Sequence, residues 1–146
     1  MTDGRRWLIA GGVLSAVASL LHLGCIVGGP DWYRFFGAGE EMARAAERGE
    51  LRPALVTLFI AGVLAAWSAF AFSGAGLLPR LPLLRTALVA ITAVYLLRGL
   101  AIVPVAMLRP EQFQAFWLWS SGIVLIYGLI HLFGLWRSWA ALSRAA

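Results

Sequence analysis

The run Tyr95-Leu96-Leu97-Arg98-Gly99 places one guanidinium inside an otherwise apolar stretch. A charge there costs roughly 3 to more than 10 kcal/mol in a membrane span unless it is paired, hydrated or snorkelling. Arg98 therefore reads either as a structural, snorkelling side chain or as an anchor for an anion or a lipid headgroup. His22 shares a helix face with Ser15 and Ser19, because three- and seven-residue steps return to the same side. Counting from Leu81 and Trp7, Arg98 stands about 25 Å and His22 about 22 Å across the membrane, at similar depth. Pro104, six residues beyond Arg98, interrupts backbone hydrogen bonding and can admit water or a ligand. With Tyr95, Thr57 and Ser120 these residues outline an outward-facing polar pocket for an anionic amphiphile or small acid.

His131 belongs to a second set. Ser120, Val124, Tyr127, His131, Gly134 and Ser138 fall on one helix face, which must meet protein or water because it is polar along most of its length. Two histidines in an apolar bundle suggest haem or quinone binding through His22, His131 and Tyr127, the alternative reading. Depth opposes one haem ligated by both histidines, since they differ by about 13 Å along the membrane normal. Single-histidine ligation, or an oligomer, escapes that objection.

The segment Gly28 to Glu41 supplies further candidates. Gly28, Gly29 and Pro30 end the first apolar run, and Trp32, Tyr33, Phe35 and Phe36 form an aromatic cluster suited to an interface. Glu40 to Arg48 reads as a short helix in which Glu40 and Arg44 pair at i, i+4. The loop is a structured cap, or a lid whose Asp31, Glu40 and Glu41 act as proton acceptors or as partners for Arg98. There is no phosphate-binding glycine loop, nucleophile elbow, HExxH or His/acid cluster at metal spacing, so neither catalytic nor metal residues are assigned. Cys25 has no arranged base nearby and reads as a packing residue.

The elements that must position these side chains are membrane helices. Of the 146 residues, 61% are hydrophobic and 13% charged, with a mean hydropathy of +0.82. A soluble domain is nearer half apolar and a quarter charged, and disorder and nucleic-acid binding are excluded with it, since the net charge of +5 forms no basic stripe. Four segments reach the about 20 apolar residues a span requires: residues 7–28, 53–73, 81–107 and 116–137. The expected fold is an all-α, integral membrane bundle of four transmembrane helices, a single domain over residues 1–146 with a loop at 29–52. The start resembles a signal peptide, but His22 stands where a lipoprotein box wants Leu, so the first span is read as retained.

Arginine placement sets the orientation. Arg5, Arg6, Arg80, Arg85, Arg137 and Arg144 fall on one side with a single acid, Asp3. Arg34, Arg44, Arg48, Arg52 and Arg109 fall on the other, diluted in a long loop beside six acids. Both termini are therefore placed in the cytoplasm. Small residues repeat at four-residue intervals in the first span (Gly11, Ser15, Ser19) and the second (Ala61, Ala65, Ala69), a pattern for close packing inside the bundle or in a homo-oligomer. Trp32, Tyr33, Trp117, Trp119, Trp136 and Trp139 fit an interfacial belt.

The run from His22 through Glu41, with Leu81 to Ile91, resembles small four-span inner-membrane proteins of proteobacterial type over nearly the whole chain. The resemblance implies topology and a bacterial cytoplasmic membrane, and carries over no functional residue. The expected partners are membrane lipids, with a homo-oligomer or larger membrane complex as the structural alternative; no nucleic acid is expected.

Overall fold

The computed structural model describes residues 3–108 and 115–143; Arg109 and Arg144, used in the charge argument, lie outside the described residues. Of the described residues 87% are helical, and no strand occurs among them. The described residues form six helices in order: α1 (Asp3–Phe35), α2 (Glu40–Glu47), α3 (Arg52–Gly74), α4 (Leu84–Leu100), α5 (Ile102–Leu108) and α6 (Ala115–Ser143). Four stretches, with α4 and α5 counted as one, are long and apolar enough to cross a membrane. This is the all-α class expected, in a multi-pass membrane protein.

Burial runs opposite to that of a soluble bundle. The buried polar set includes Ser15, Ser19, Thr57, Ser68, Thr92, Ser121 and Ser138, while Phe59 is 73%, Leu97 70% and Trp119 73% exposed. In lipid, hydroxyls must find partners inside the protein and large aliphatic groups need not. Ser68 donates to the carbonyl of Gly12 at 2.8 Å and Ser19 to that of Ala61 at 2.8 Å, each tying α1 to α3.

The chain divides into two compact units. The first comprises Met1–Leu14 and Trp67–Ala146. Its core is Leu8, Ala75, Leu84, Leu88, Leu135 and Leu142. Glycines let its helices touch: a Cβ on Gly99 would lie 2.7 Å from Leu125 Cα, and one on Gly134 only 3.0 Å from the backbone nitrogen of Leu8. The turn Leu81–Leu83, expected inside the third span, is non-helical; Leu83 takes φ 53°, so α4 starts at Leu84. At the other end α4 stops at Leu100, the carbonyl that Pro104 has no N–H to bond. The next bond, Val105 N–H to Ala101, is stretched to 3.5 Å.

The second unit is Ser15–Ala66. The helical path breaks at Gly29, with φ 69° and ψ −150°, and Pro30 restarts a turn that runs to Phe35, further than the expected end of the first span. Trp32 packs on Gly28, where a Cβ would overlap its ring, and its far edge reaches Gly24, where a Cβ would lie 3.0 Å from Cζ3. One aromatic assignment is corrected here. Tyr33 is not part of a belt; it is 3% exposed, packed with Cys25 and Ala43. Cys25 is a packing residue, as expected.

The small residues of the first span are buried at Gly11, Gly12, Ser15 and Ser19. Those of the second are only partly so: Ala61 is buried, but Gly62, Ala65 and Ala66 are exposed. The buried line on α3 runs Thr57, Ala61, Leu64, Ser68 and Ala71 instead, and Ala75, just past the helix end, continues it. Alternating steps of four and three stay on one face, whereas repeated steps of four rotate off it.

Candidate functional site

Arg98 sits in the last turn of α4, where a cation is favoured by the carbonyl end of the helix. One terminal nitrogen donates to Ser121 Oγ and the other to Ser120 Oγ, both at 3.2 Å. The guanidinium carbon lies 5.5 Å from the centroid of the Trp117 ring. Trp117, Ser120 and Ser121 stand at i, i+3 and i+4, so one face of α6 receives the whole head group. Asp3 is the sole described acid of this unit, and it pairs with Arg137 at 3.6 Å. Among the described residues of the unit Arg98 thus has hydroxyl and aromatic neighbours and no counter-ion. Beside it Val94, Leu97 and Leu100 are exposed and apolar.

Tyr95, one turn before Arg98, is buried and belongs to a different cluster. Trp67 meets it edge-on at 4.9 Å, Tyr127 at 5.7 Å and the His131 ring at 5.1 Å. His131 is fully buried, and its Nδ1 lies 2.9 Å from the Tyr127 carbonyl. Only an N–H can bond a carbonyl, so Nδ1 carries hydrogen and Nε2 of the neutral ring is an acceptor. That Nε2 is buried and has no partner among the described residues. A Cβ on Gly11 would lie 2.8 Å from Cε1 and 3.0 Å from each ring nitrogen, which places Gly11 over the face of the imidazole. Of the residues sought for a cofactor, His131 and Tyr127 are neighbours here. One face of His131 is closed by Gly11, and its free nitrogen is enclosed.

His22, Thr57, Glu40 and Glu41 belong to the second unit. His22 is half-buried and donates Nδ1–H to the Ala18 carbonyl at 2.7 Å; Thr57 is buried. The two glutamates are engaged in the ion pairs of the cap. Glu40 accepts from Arg34 at 2.9 Å and from Arg44, the expected i, i+4 partner, at 3.1 Å. Arg34 also reaches Glu47 at 2.7 Å and Asp31 at 3.5 Å, and Arg52 meets Glu41 at 2.6 Å. Asp31, Glu40 and Glu41 therefore serve as counter-ions for Arg34, Arg44 and Arg52. Among the described residues no group of His, Cys, Asp and Glu could hold a metal ion.

This cap carries a pH dependence of known sign. Hydrogen bonds from Arg34 and then Arg44 hold the Glu40 carboxyl down to about 2, and Arg52 lowers Glu41. A depressed folded-state value contributes stability above the ordinary carboxylate range, lost as pH falls through the folded value. The thermal midpoint of the solubilised protein should stay level from pH 8 to pH 5 and fall between about pH 4.5 and pH 2. In Glu40→Gln the fall should be shallower. A variant that follows the wild-type curve would remove Glu40 from this role.

Sequence reasoning found Arg98 and Ser120 but missed Ser121 and Trp117 as partners; the spacing of the two serines at i+3 and i+4 from Trp117 was the available signal. It also missed Gly11 and Trp67 beside the His131 cluster, which only tertiary packing reveals. The chain matches no family model, no curated protein and no solved structure.

Proposed function

We propose that this chain is a multi-pass protein of a bacterial inner membrane, with both termini cytoplasmic, that binds an anionic amphiphile or small acid at Arg98. The observation supporting this is a guanidinium held by two serine hydroxyls and an indole ring in a unit whose sole described acid is paired elsewhere. Arginine has five N–H donors; the serines take two, and their own hydroxyl protons are free to point at the same anion. Such charge-assisted bonds strengthen in a low-dielectric setting, and exposed Val94, Leu97 and Leu100 offer an apolar wall for a tail. The orientation is supported by Arg5, Arg80 and Arg85, all contacting the other end of the unit, as cytoplasmic arginines would.

Dibromostearate, which quenches nearby tryptophan, is the probe. Wild type should show saturable quenching. Arg98→Gln should weaken it at least about tenfold, the loss of one charge-assisted pair. Ser120→Ala, which keeps the charge, should lose less. Equal binding by Arg98→Gln would overturn the proposal.

The unpartnered Nε2 of His131 favours a second reading, a haem- or quinone-binding redox protein. The residues around it fit poorly, since Gly11 covers the ring and the nitrogen is enclosed. An absorption spectrum before and after dithionite decides: a Soret band that His131→Ala abolishes supports haem, and a featureless trace removes it.

A further inference from the structure

The opposite end of the first unit carries further arginines, Arg80 and Arg85, with no ion pair among the described residues. A concavity of about 410 Å³ is lined by Arg80, Leu83, Arg85, Thr86, Leu142 and Ser143, among others. Arg80 donates to the Leu142 carbonyl at 2.6 Å, and Arg85 to Ser143 Oγ at 3.0 Å. The Arg85 guanidinium also stacks 3.8 Å above the Trp139 ring. Both head groups are thus pinned, each by one hydrogen bond, with further N–H donors left over. Preorganisation of this kind lowers the entropic cost of binding. In this unit the described residues contain six arginines (Arg5, Arg6, Arg80, Arg85, Arg98, Arg137) and one acid, Asp3, which Arg137 holds. Among the described residues of the unit no carboxylate is therefore available to Arg80 or Arg85. Of its lining Leu83 is exposed and aliphatic, and Leu77 and Leu78, just ahead of Arg80 in the chain, are exposed as well.

We infer that this concavity is a binding site for the phosphate of an anionic phospholipid headgroup, gripped between Arg80 and Arg85, with the acyl chains leaving over the exposed leucines. Guanidinium forks match phosphate oxygens, and a pocket at the level of the headgroups meets that anion at high local concentration. The site is separate from Arg98 and does not depend on the reading given to it.

The test is run in the Arg98→Gln background, so that its outcome is independent of the first site. Solubilised full-length protein is titrated with dioleoylphosphatidylglycerol, dioleoylphosphatidylcholine or inorganic phosphate while the thermal midpoint is followed. Phosphatidylglycerol should raise the midpoint saturably, at a concentration about tenfold below that needed for phosphatidylcholine. Arg85→Gln should abolish the difference. Leu83→Asp, which leaves both arginines intact, adds a competing carboxylate at a left-handed position that Asp tolerates, and should abolish it too. A midpoint rise from inorganic phosphate that competes with phosphatidylglycerol supports the same site with a free anion as its source. Equal responses to the two lipids, or a Leu83→Asp protein that still discriminates between them, would overturn the inference.

Discussion

Gly99→Val and Gly128→Val should each lower the stability of the solubilised protein by about 2–3 kcal/mol, the upper range for overpacking a close helix contact. The reason is what each Cβ would meet. At Gly99 it would lie 2.7 Å from Leu125 Cα and 2.8 Å from the backbone nitrogen, so no rotamer change makes room. At Gly128 it would lie 3.0 Å from the Leu96 nitrogen. Reciprocal glycines thus hold α4 against α6, and separating them would also stretch the Arg98 bonds to Ser120 and Ser121. Gly62 and Gly122, which meet nothing within 4 Å, are the controls, and Gly→Ala there should change little. Unfolding measured in one detergent checks the contrast. Comparable losses at all four positions would show that helix propensity, not contact, sets the effect.

The second large effect belongs to His131. His131→Ala should cost about 2–3 kcal/mol, because it leaves a void among Gly11, Tyr95 and Tyr127 that their backbones hold open. His131→Leu fills most of that space and removes a buried acceptor with no partner, a group that itself costs about 1–3 kcal/mol to bury. The leucine variant should therefore match wild type within about 1 kcal/mol or exceed it. A native-state ring nitrogen kept at a stability cost invites a functional reading, and this pair of variants measures that cost. If leucine is as damaging as alanine, the imidazole is satisfied in the membrane by a group such as water, and the cost is absent.

Much of this was legible in the residues. Gly29-Pro30 and Pro104 mark the breaks that appear at Gly29 and after Leu100, because a positive φ and a missing N–H are local properties. The helix at Glu40 and its pair with Arg44 follow from spacing alone. What required tertiary structure was the choice among neighbouring faces. On α6 the buried line passes through Ser121, Gly128, Leu135 and Leu142, a seven-residue repeat, and in the first half of the helix this lies beside the polar face through Ser120 and Tyr127. Polarity marks a face that avoids lipid, but close packing selects the residues small enough to touch. Tyr33 was misplaced for the same kind of reason, since its burial depends on Ala43 of α2 folding over it.

If Arg98 holds an anionic ligand, a native mass spectrum of the protein released from mild detergent, wild type beside Arg98→Gln, will reveal it. The wild type should carry an acidic amphiphile or small-acid adduct that the variant loses while remaining folded. An identical adduct on both proteins, or a porphyrin mass in place of an anion, would contradict that role for Arg98.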